Sequence, residues 1–195
     1  MKKIFTFATL LYFFTSNANA LILDPYVGLD YNHNKMNFDH KTEDLYDDNY
    51  NSVGVVAGIK LLSMLSVEGF YQKSAEKDNS IKNYFIDGDN VKTKMQLESY
   101  GVDLVSDMLN LGIVEVLSSV GYGYYDASVS RFVTVSGETG HKNYNEEGNG
   151  LRFGIGAQIN PTPSIGIRAM LRYTITDMDT VKNIKEFTLG LRYYF

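Results

Sequence analysis

Hydrophobic and polar positions alternate strictly at the C-terminal end of the chain. In residues 187–195, FTLGLRYYF, the odd-numbered positions are apolar or aromatic and the even-numbered positions are polar or small. Successive side chains of a β-strand point to opposite faces of a sheet, so this period predicts a strand with one apolar face. Residues 165–173 and 151–159 repeat the pattern.

Five more segments carry the same two-residue period, so eight amphipathic strands are predicted. Their approximate ranges are 27–33, 53–61, 65–72, 93–105, 114–126, 151–159, 165–173 and 187–195. The connections alternate between short turns, such as LSM and NPTP, and long polar loops. In an up-and-down arrangement, short turns therefore fall at one end of the sheet and long loops at the other.

The fourth predicted strand does not keep one phase. Its apolar residues change phase in the middle, with Met95 and Leu97 on one face and Tyr100, Val102 and Leu104 on the other. A single extra residue in one strand shifts the alternation by one, so a bulge near Glu98 or Ser99 is predicted, with a mistaken register as the alternative.

Composition and the N-terminus limit the class of protein. Residues 1–20 have two lysines, an apolar run and an Ala-x-Ala end, which together predict a cleaved secretory signal. The remaining residues 21–195 contain 16 basic and 23 acidic residues, a balance that argues against nucleic-acid binding. The chain has no cysteine, so no disulfide can hold the fold together.

Two features favour a membrane barrel over a soluble sandwich or a lipocalin-like barrel. The first is the asymmetry of the loops. The second is a set of aromatic residues near strand ends on the apolar face: Tyr31, Tyr71, Tyr122, Tyr124, Tyr173, Tyr193 and Phe195. Membrane barrels carry such aromatic girdles at both interfaces, and their strands have about 9 to 11 residues. Since lipid satisfies no backbone group, the first and last strands are expected to pair.

The segments VGYGYY, LRY and LGLRYYF resemble the small eight-stranded outer-membrane barrels of Gram-negative bacteria. This group holds the transmembrane domain of OmpA, OmpX and the opacity-type adhesins. The resemblance implies an all-β, eight-stranded antiparallel up-and-down transmembrane barrel over residues 21–195, with short periplasmic turns and long extracellular loops. It also implies contact with outer-membrane lipid and a C-terminal signal for the barrel-assembly machinery, formed by Leu189, Leu191, Tyr193 and Phe195.

Charged residues lie on the opposite face from the apolar one. They are Glu68, Asp103, Glu115, Arg152, Arg168, Arg172 and Arg192. An eight-stranded barrel has an interior just wide enough to be filled by side chains, so we expect these residues to form a polar network in the lumen. The alternative is a narrow ion path gated by the same pairs.

The first long loop gathers acidic residues and one histidine: Asp39, His40, Glu43, Asp44, Asp47 and Asp48. Their spacing does not match an EF-hand loop, so a solvated acidic loop is expected, and neither a metal nor a cofactor is predicted.

The predicted function is that of an outer-membrane surface protein whose loops contact host or envelope molecules, without enzymatic activity. In the third loop, residues 128–136 are expected to extend the flanking strands as a hairpin. The alternatives are a narrow-pore channel and a lipid-modifying enzyme. Catalysis would need a base near a nucleophile, but no serine shares the strand of His33, and Ser128 and Ser130 are far from His141 in sequence.

Overall fold

The computed structural model describes residues 23–38, 46–62, 64–82, 90–135 and 138–195. This part of the chain forms nine antiparallel strands: β1 (Asp24–Phe38), β2 (Asn49–Leu62), β3 (Leu65–Ser74), β4 (Lys77–Lys82), β5 (Asn90–Asn110), β6 (Val114–Val135), β7 (Glu138–Thr162), β8 (Ile165–Thr176) and β9 (Val181–Tyr194). The predicted signal at residues 1–20 lies outside the described residues.

The strands close into a ring of eight. Consecutive strands pair with each other except β3 and β4, which both pair with β5, so that β4 continues the position of β3 after a short break. The ring closes between β1 and β9, which are paired from Tyr26↔Tyr194 to Phe38↔Val181. The predicted up-and-down barrel and the pairing of its first and last strands are both confirmed.

The two faces of the barrel wall follow the predicted alternation over most of its height. Apolar side chains such as Leu29, Val102 and Leu189 lie outside, where they are half exposed or more, while charged side chains lie inside. Tyr71, Tyr100 and Tyr124 are direct cross-strand neighbours on the outer face of β3, β5 and β6. We use this row of tyrosines to mark the extracellular edge of the membrane-spanning part.

The bulge predicted near Glu98 or Ser99 is wrong. The pairing of β5 with β6 runs without a break from Asn90↔Thr134 to Asp107↔Leu117, and it shifts only between Asp107 and Leu109. Met95 and Leu97 are buried inside the barrel, on the same face as Asp103 further down. The phase change in the sequence arises because the inside of the barrel turns from polar to apolar above the membrane.

Three strands are much longer than the predicted 9 to 11 residues. β5, β6 and β7 have 21, 22 and 25 residues, and their upper parts rise beyond the tyrosine row together with β4. We call this four-stranded part, residues 77–82, 90–98, 126–135 and 138–147, the extension. The predicted hairpin of the third loop is confirmed, since β6 and β7 stay paired up to Val135↔Glu138.

The connections at the opposite end are short. Between β5 and β6, Gly112 has a φ of 86°, a conformation that costs glycine nothing, and its N–H donates to Asn110 Oδ1 at 2.9 Å. Strands β7 and β8 are separated by only residues 163–164. No helix in the described ranges is long and apolar enough to cross a membrane.

Candidate functional site

Eight charged side chains fill the interior of the membrane-spanning part, and none is more than 8% exposed. We call them the lumen network: Asp30, Glu68, Asp103, Arg152, Arg168, Arg172, Glu186 and Arg192. Four guanidinium groups face four carboxylates, so the network is neutral as a whole. Buried charges are tolerated when oppositely charged partners compensate them, and this balance provides that compensation.

The upper half of the lumen network joins β5, β7, β8 and β9. Arg152 Nη2 donates to Glu186 Oε1 at 2.7 Å, and Arg172 Nη1 donates to the same oxygen at 3.0 Å. Asp103 Oδ2 lies 3.7 Å from Arg152 Nη1 and 3.8 Å from Arg172 Nε. The guanidinium of Arg152 also lies 4.1 Å from the centre of the Phe70 ring. Two cations thus share two anions across four strands.

The lower half consists of two ion pairs, one that spans the ring and one that joins the adjacent strands β1 and β9. Arg168 pairs with Glu68, whose Oε1 also accepts a 2.6 Å hydrogen bond from the Tyr26 hydroxyl. Arg192 on β9 pairs with Asp30 on β1, with Nη2 and Oδ2 3.1 Å apart. Glu68 Oε2 lies 4.0 Å from Arg192 Nη2, which connects the two pairs.

Glycines make the space for these groups. A Cβ at Gly190 would clash with Asp30 Oδ1, and one at Gly121 would clash with Asp103 Oδ1. A cavity of about 10 Å³ remains between Asp30, Glu68 and Arg172, the space of roughly one water molecule. The lumen is therefore packed.

The structure brings together six of the seven residues predicted for the lumen. Glu115 is buried but lies near the periplasmic end, where its side chain accepts a 3.3 Å hydrogen bond from Gln158. Sequence reasoning missed Asp30 and Glu186. Asp30 has the inward phase in the first predicted strand, and Glu186 lies one residue before the start assigned to the last strand, in phase with Arg192. Continuing the alternation by one residue would have found Glu186.

Above the lumen network, the interior becomes a hydrophobic core. We call this cluster the cap: Met36, Phe38, Tyr46, Tyr50, Val91, Met95, Leu97, Tyr125, Ala127, Val129, Met178, Val181 and Ile184. The rings of Phe38 and Tyr46 stack with centroids 4.9 Å apart. The Tyr46 and Tyr144 hydroxyls share a hydrogen bond, and burial raises the pKa of Tyr46. The cap covers the extracellular end of the lumen.

Three acidic side chains form a row on the outer face of the extension, just above the tyrosines. Glu98, Asp126 and Glu147 are direct neighbours across β5, β6 and β7. Glu98 has a counterion, Lys73, at 3.1 Å, whereas Asp126 and Glu147 have no ion pair among the described residues. Burial, together with the negative charges of Glu147 and Glu98, raises the pKa of Asp126. We call these three residues the acidic row.

The acidic first loop is described only from residue 46 onward, so Asp39, His40, Glu43 and Asp44 lie outside the described residues. Asp47 Oδ2 lies 2.9 Å from Lys77 Nζ, and Asp48 pairs with Lys35 at 3.1 Å. Burial alone would raise the pKa of Asp47, but hydrogen bonds from Asn49 and Lys77 outweigh it and lower the pKa. No group of metal-binding side chains occurs in the part of the chain described.

The two histidines that the structure describes contact neither an acid nor a hydroxyl. His33 Nδ1 lies 2.8 Å from Asn51 Oδ1, and the His141 ring stacks on Phe132 with centroids 4.5 Å apart. Ser128 and Ser130 lie on β6, opposite Asn145 and Asn143 respectively.

Of the residues predicted as an assembly signal, three lie on the lipid-facing side of β9, and Phe195 directly follows this strand. Leu189, Leu191 and Tyr193 are about half exposed, and Phe195 is the most exposed of the four. The Tyr193 and Phe195 rings meet edge to face, with centroids 5.3 Å apart. Recognition of these side chains by the barrel-assembly machinery stays a prediction.

Comparison with solved structures shows the same fold. Neisserial surface protein A is 23% identical, with a TM-score of 0.62, covering 88% of this chain and 97% of that protein. Ail, the attachment invasion locus protein of Yersinia pestis, is 18% identical, with a TM-score of 0.55 and coverage of 88% and 98%. A major outer membrane protein from Thermus thermophilus is 14% identical, with a TM-score of 0.62 and coverage of 89% and 100%. No curated protein sequence matches.

A family model described as the outer membrane protein beta-barrel domain matches residues 5–195, which is nearly the whole chain. The match agrees with the closed ring of strands, the lipid-facing apolar side chains and the tyrosine row. The chain therefore belongs to the outer membrane protein beta-barrel domain family and is a protein of the bacterial outer membrane.

Proposed function

We propose that the protein is a non-enzymatic surface protein whose extension presents a fixed binding surface to host or envelope molecules. The observation that carries this proposal is the extension itself, which is a paired sheet above the membrane with its own hydrophobic core. A barrel needs only short connections to close, whereas these strands continue for about ten residues beyond the tyrosine row. Such a rigid platform outside the membrane favours recognition.

The lumen argues against the channel alternative. Its charges neutralise one another, a cavity of only about 10 Å³ lies among them, and the cap lies over the extracellular end. An ion would have to displace both a packed ionic network and a hydrophobic core, and narrow hydrophobic constrictions exclude water and ions.

The surroundings of His33 and His141 favour a non-enzymatic role. Their contacts are an amide and a phenyl ring, and neither group activates a nucleophile. Ser130 precedes Arg131, whose Nη2 lies 3.5 Å from the hydroxyl of Tyr46 in the cap and 3.5 Å from that of Tyr144, which packs against the cap.

The Yersinia pestis Ail structure contains a heparin analogue, sucrose octasulfate, which is a polyanion. The extension of the present protein carries the acidic row on its outer face, so we propose a basic partner. Surface charges select partners through complementary potential, and an acidic surface favours a basic one.

A cell-binding experiment tests the proposal. A non-adherent bacterial strain expressing the full chain is compared with one expressing a variant in which residues 132–141 are replaced by Asn-Gly, which shortens the β6–β7 hairpin to the pair Arg131↔Lys142 but leaves the barrel intact. We expect binding to host cells or matrix proteins that the variant loses, while both proteins keep a heat-modifiable band on gels. Equal binding by the two strains would contradict the proposal. Altered lipid A masses would support the enzyme alternative, and single-channel currents would support the channel.

A further inference from the structure

The outer face of the β6–β7 hairpin in the extension is a polar surface above the membrane. Ser128 lies directly opposite Asn145, and Ser130 lies opposite Asn143, so that four short polar side chains form two adjacent cross-strand pairs. Three of them are exposed and Ser130 is half-buried. We call these four residues the polar patch. None of their side chains forms a hydrogen bond with another residue in the described ranges.

The polar patch offers hydrogen-bond donors and acceptors close together. Each asparagine amide has two N–H donors and an acceptor oxygen, and each serine hydroxyl both donates and accepts. Directly opposite side chains of paired strands lie about 5 Å apart, and successive outward positions of one strand lie about 7 Å apart. A sugar ring carries several hydroxyls over such an area, whereas an extended peptide offers one backbone donor and one acceptor per residue. The polar patch therefore matches a saccharide.

Two aromatic rings adjoin the upper end of the polar patch. Phe132 and His141 are the next outward pair on the same two strands, and their rings stack with centroids 4.5 Å apart and planes inclined by 19°. Because the pairing of β7 with β8 ends at Gly150↔Thr176, no described strand covers the ring face of His141 that is turned away from Phe132. The face of an aromatic ring is negative and packs against the weakly positive C–H groups of a sugar ring.

The charge around the polar patch is negative. Asp126 and Glu147 of the acidic row lie directly below it on the same two strands, and neither has an ion pair among the described residues. On the neighbouring strand β5, the lysines of this face are already neutralised, because Lys92 and Lys94 each form an ion pair with an acidic residue at 2.6 Å. A ligand therefore meets two uncompensated carboxylates, which attract a cation and repel sulfated or phosphorylated saccharides.

The height of the polar patch indicates where the saccharide comes from. Ser128 and Ser130 follow Tyr124 by four and six residues. Since strands rise about 3.3 Å per residue and tilt by about 40°, the two serines lie about 10–15 Å above the tyrosine row. The polar headgroup layer is only about 5–8 Å thick on each side of a bilayer. The polar patch thus lies above the lipid headgroups, where saccharide chains in the surrounding medium reach it.

We propose that the outer face of the β6–β7 hairpin binds an extracellular saccharide chain that carries protonated amino groups. The polar patch hydrogen-bonds the sugar hydroxyls. The stacked pair of Phe132 and His141 packs against a sugar ring, and Asp126 and Glu147 bind the amino groups. This inference rests on the proposed surface-binding function and names the chemical class of its basic partner.

A ligand-binding experiment with the full chain in lipid nanodiscs tests the site. The probe is a fluorescent glucosamine pentamer in mildly acidic buffer, and its matched control is the N-acetylated pentamer, which has the same rings without the charge. We expect saturable binding of the glucosamine pentamer, shifts of the Asn143 and Asn145 side-chain amide NMR signals, and about fivefold weaker binding of the acetylated pentamer. If neither pentamer binds, or if both bind equally, the proposal is overturned.

Variants of the polar patch and of the aromatic pair test the uncharged contacts. Asn145→Ala should weaken both pentamers about fivefold, because it removes hydrogen bonds that do not depend on the amino groups. His141→Ala should have a similar effect, whereas His141→Phe keeps a ring and should bind normally. Ser80→Ala on β4, on the same face at the opposite edge of the extension, should have no effect. Normal binding by both Asn145→Ala and His141→Ala would overturn the proposal.

A charge variant tests the preference for amino groups. Asp126→Asn/Glu147→Gln should lower the affinity for the glucosamine pentamer to that for the acetylated pentamer, and it should leave binding of the acetylated pentamer nearly unchanged. If the double variant keeps the preference, the acidic row does not select the ligand and the proposal is overturned.

Other occupants of this face give different results. A lysine pentapeptide that binds as tightly as the glucosamine pentamer, and equally well to His141→Ala, would identify a basic protein segment and overturn the proposal. Loss of glucosamine binding in nanodiscs that contain lipopolysaccharide would show that the saccharide of the surrounding lipid occupies the face, and would also overturn it. Pentamer binding without cell adhesion would contradict only the proposed function, whereas adhesion that survives His141→Ala would contradict only the saccharide site.

Discussion

The lumen network and the cap occupy the inside of the same barrel, yet their chemistry is opposite. Along β5, Asp103 points inward within the membrane, whereas Met95 and Leu97 point inward above it. The outer face changes in the other direction, from Val102 to Glu98. The medium around the barrel determines the polarity of both faces. Lipid requires apolar side chains outside and leaves the polar ones inside, whereas water favours the reverse.

The two regions also differ in how they are stabilised. The cap gains free energy from each apolar group that it removes from water. The lumen network gains little from burial itself, since each charge must first be dehydrated, and it depends on complete pairing. Removal of one charged side chain should therefore destabilise the whole lumen network, whereas removal of one apolar side chain should destabilise the cap only locally.

The largest expected effect comes from breaking the charge balance of the lumen. Arg152→Met leaves Glu186 and Asp103 to share Arg172 alone, and we expect a loss of about 4 kcal/mol in the free energy of unfolding. Urea titration in lipid vesicles, followed by gel mobility, measures it. The double variant Arg152→Met/Glu186→Gln restores neutrality and should recover part of the loss. A double variant as unstable as the single one would show that charge balance is not the cause.

The cap should respond by local loosening. Met95→Ala removes a fully buried side chain from the cap, with an expected cost of about 3 kcal/mol. Hydrogen exchange should become faster in the extension, while the membrane-spanning strands keep their protection. If the urea midpoint of the whole barrel fell as far as it does in Arg152→Met, the two regions would not be independent.

Two substitutions to lysine on the outer face of β6 locate the boundary between lipid and water. Val120 and Ser128 have the same outward phase, below and above Tyr124. Val120→Lys should cost about 2–3 kcal/mol because the ammonium meets lipid, and Ser128→Lys should be nearly neutral. Unfolding free energies in vesicles compare the two. Equal effects would place the boundary elsewhere.

The smallest effect concerns the acidic row. The pKa of Asp126 is raised in the folded protein, so the ionised carboxylate destabilises the extension, and stability rises as the pH falls through that pKa. Asp126→Asn should stabilise the extension at neutral pH by about 0.5 kcal/mol and remove this pH-dependent gain. Hydrogen exchange of the extension from pH 7 to pH 4 measures both, with Asp78→Asn as the control.

The sequence predicts the barrel well because the strand period and the closure of the ring both follow from one repeated constraint, contact with lipid. It predicts less of the extension, where the outer face of the wall meets water instead of lipid. There the two faces of β5 exchange polarity while the pairing continues unchanged, so the sequence pattern resembles a bulge near Glu98. The membership of the lumen network was partly predictable, since inward phase identified the four arginines, Glu68 and Asp103 but not which charges pair across the lumen. Asp30 and Arg192 meet only because β1 pairs with β9, a contact that no local pattern encodes.

The contact between Asp30 and Arg192 depends on the register in which β1 and β9 pair. Asp30 and Arg192 are separated by 162 positions in the chain and lie on the two strands whose pairing closes the ring. If β9 docked two positions out of register so that Arg192 faced Tyr26 instead of Gly28, every lipid-facing side chain would still face lipid, but Arg192 would be moved away from Asp30. Alternation alone cannot detect such a slip, whereas this ion pair penalises it. The register between β1 and β9 is thus specified by charge as well as by hydrophobicity.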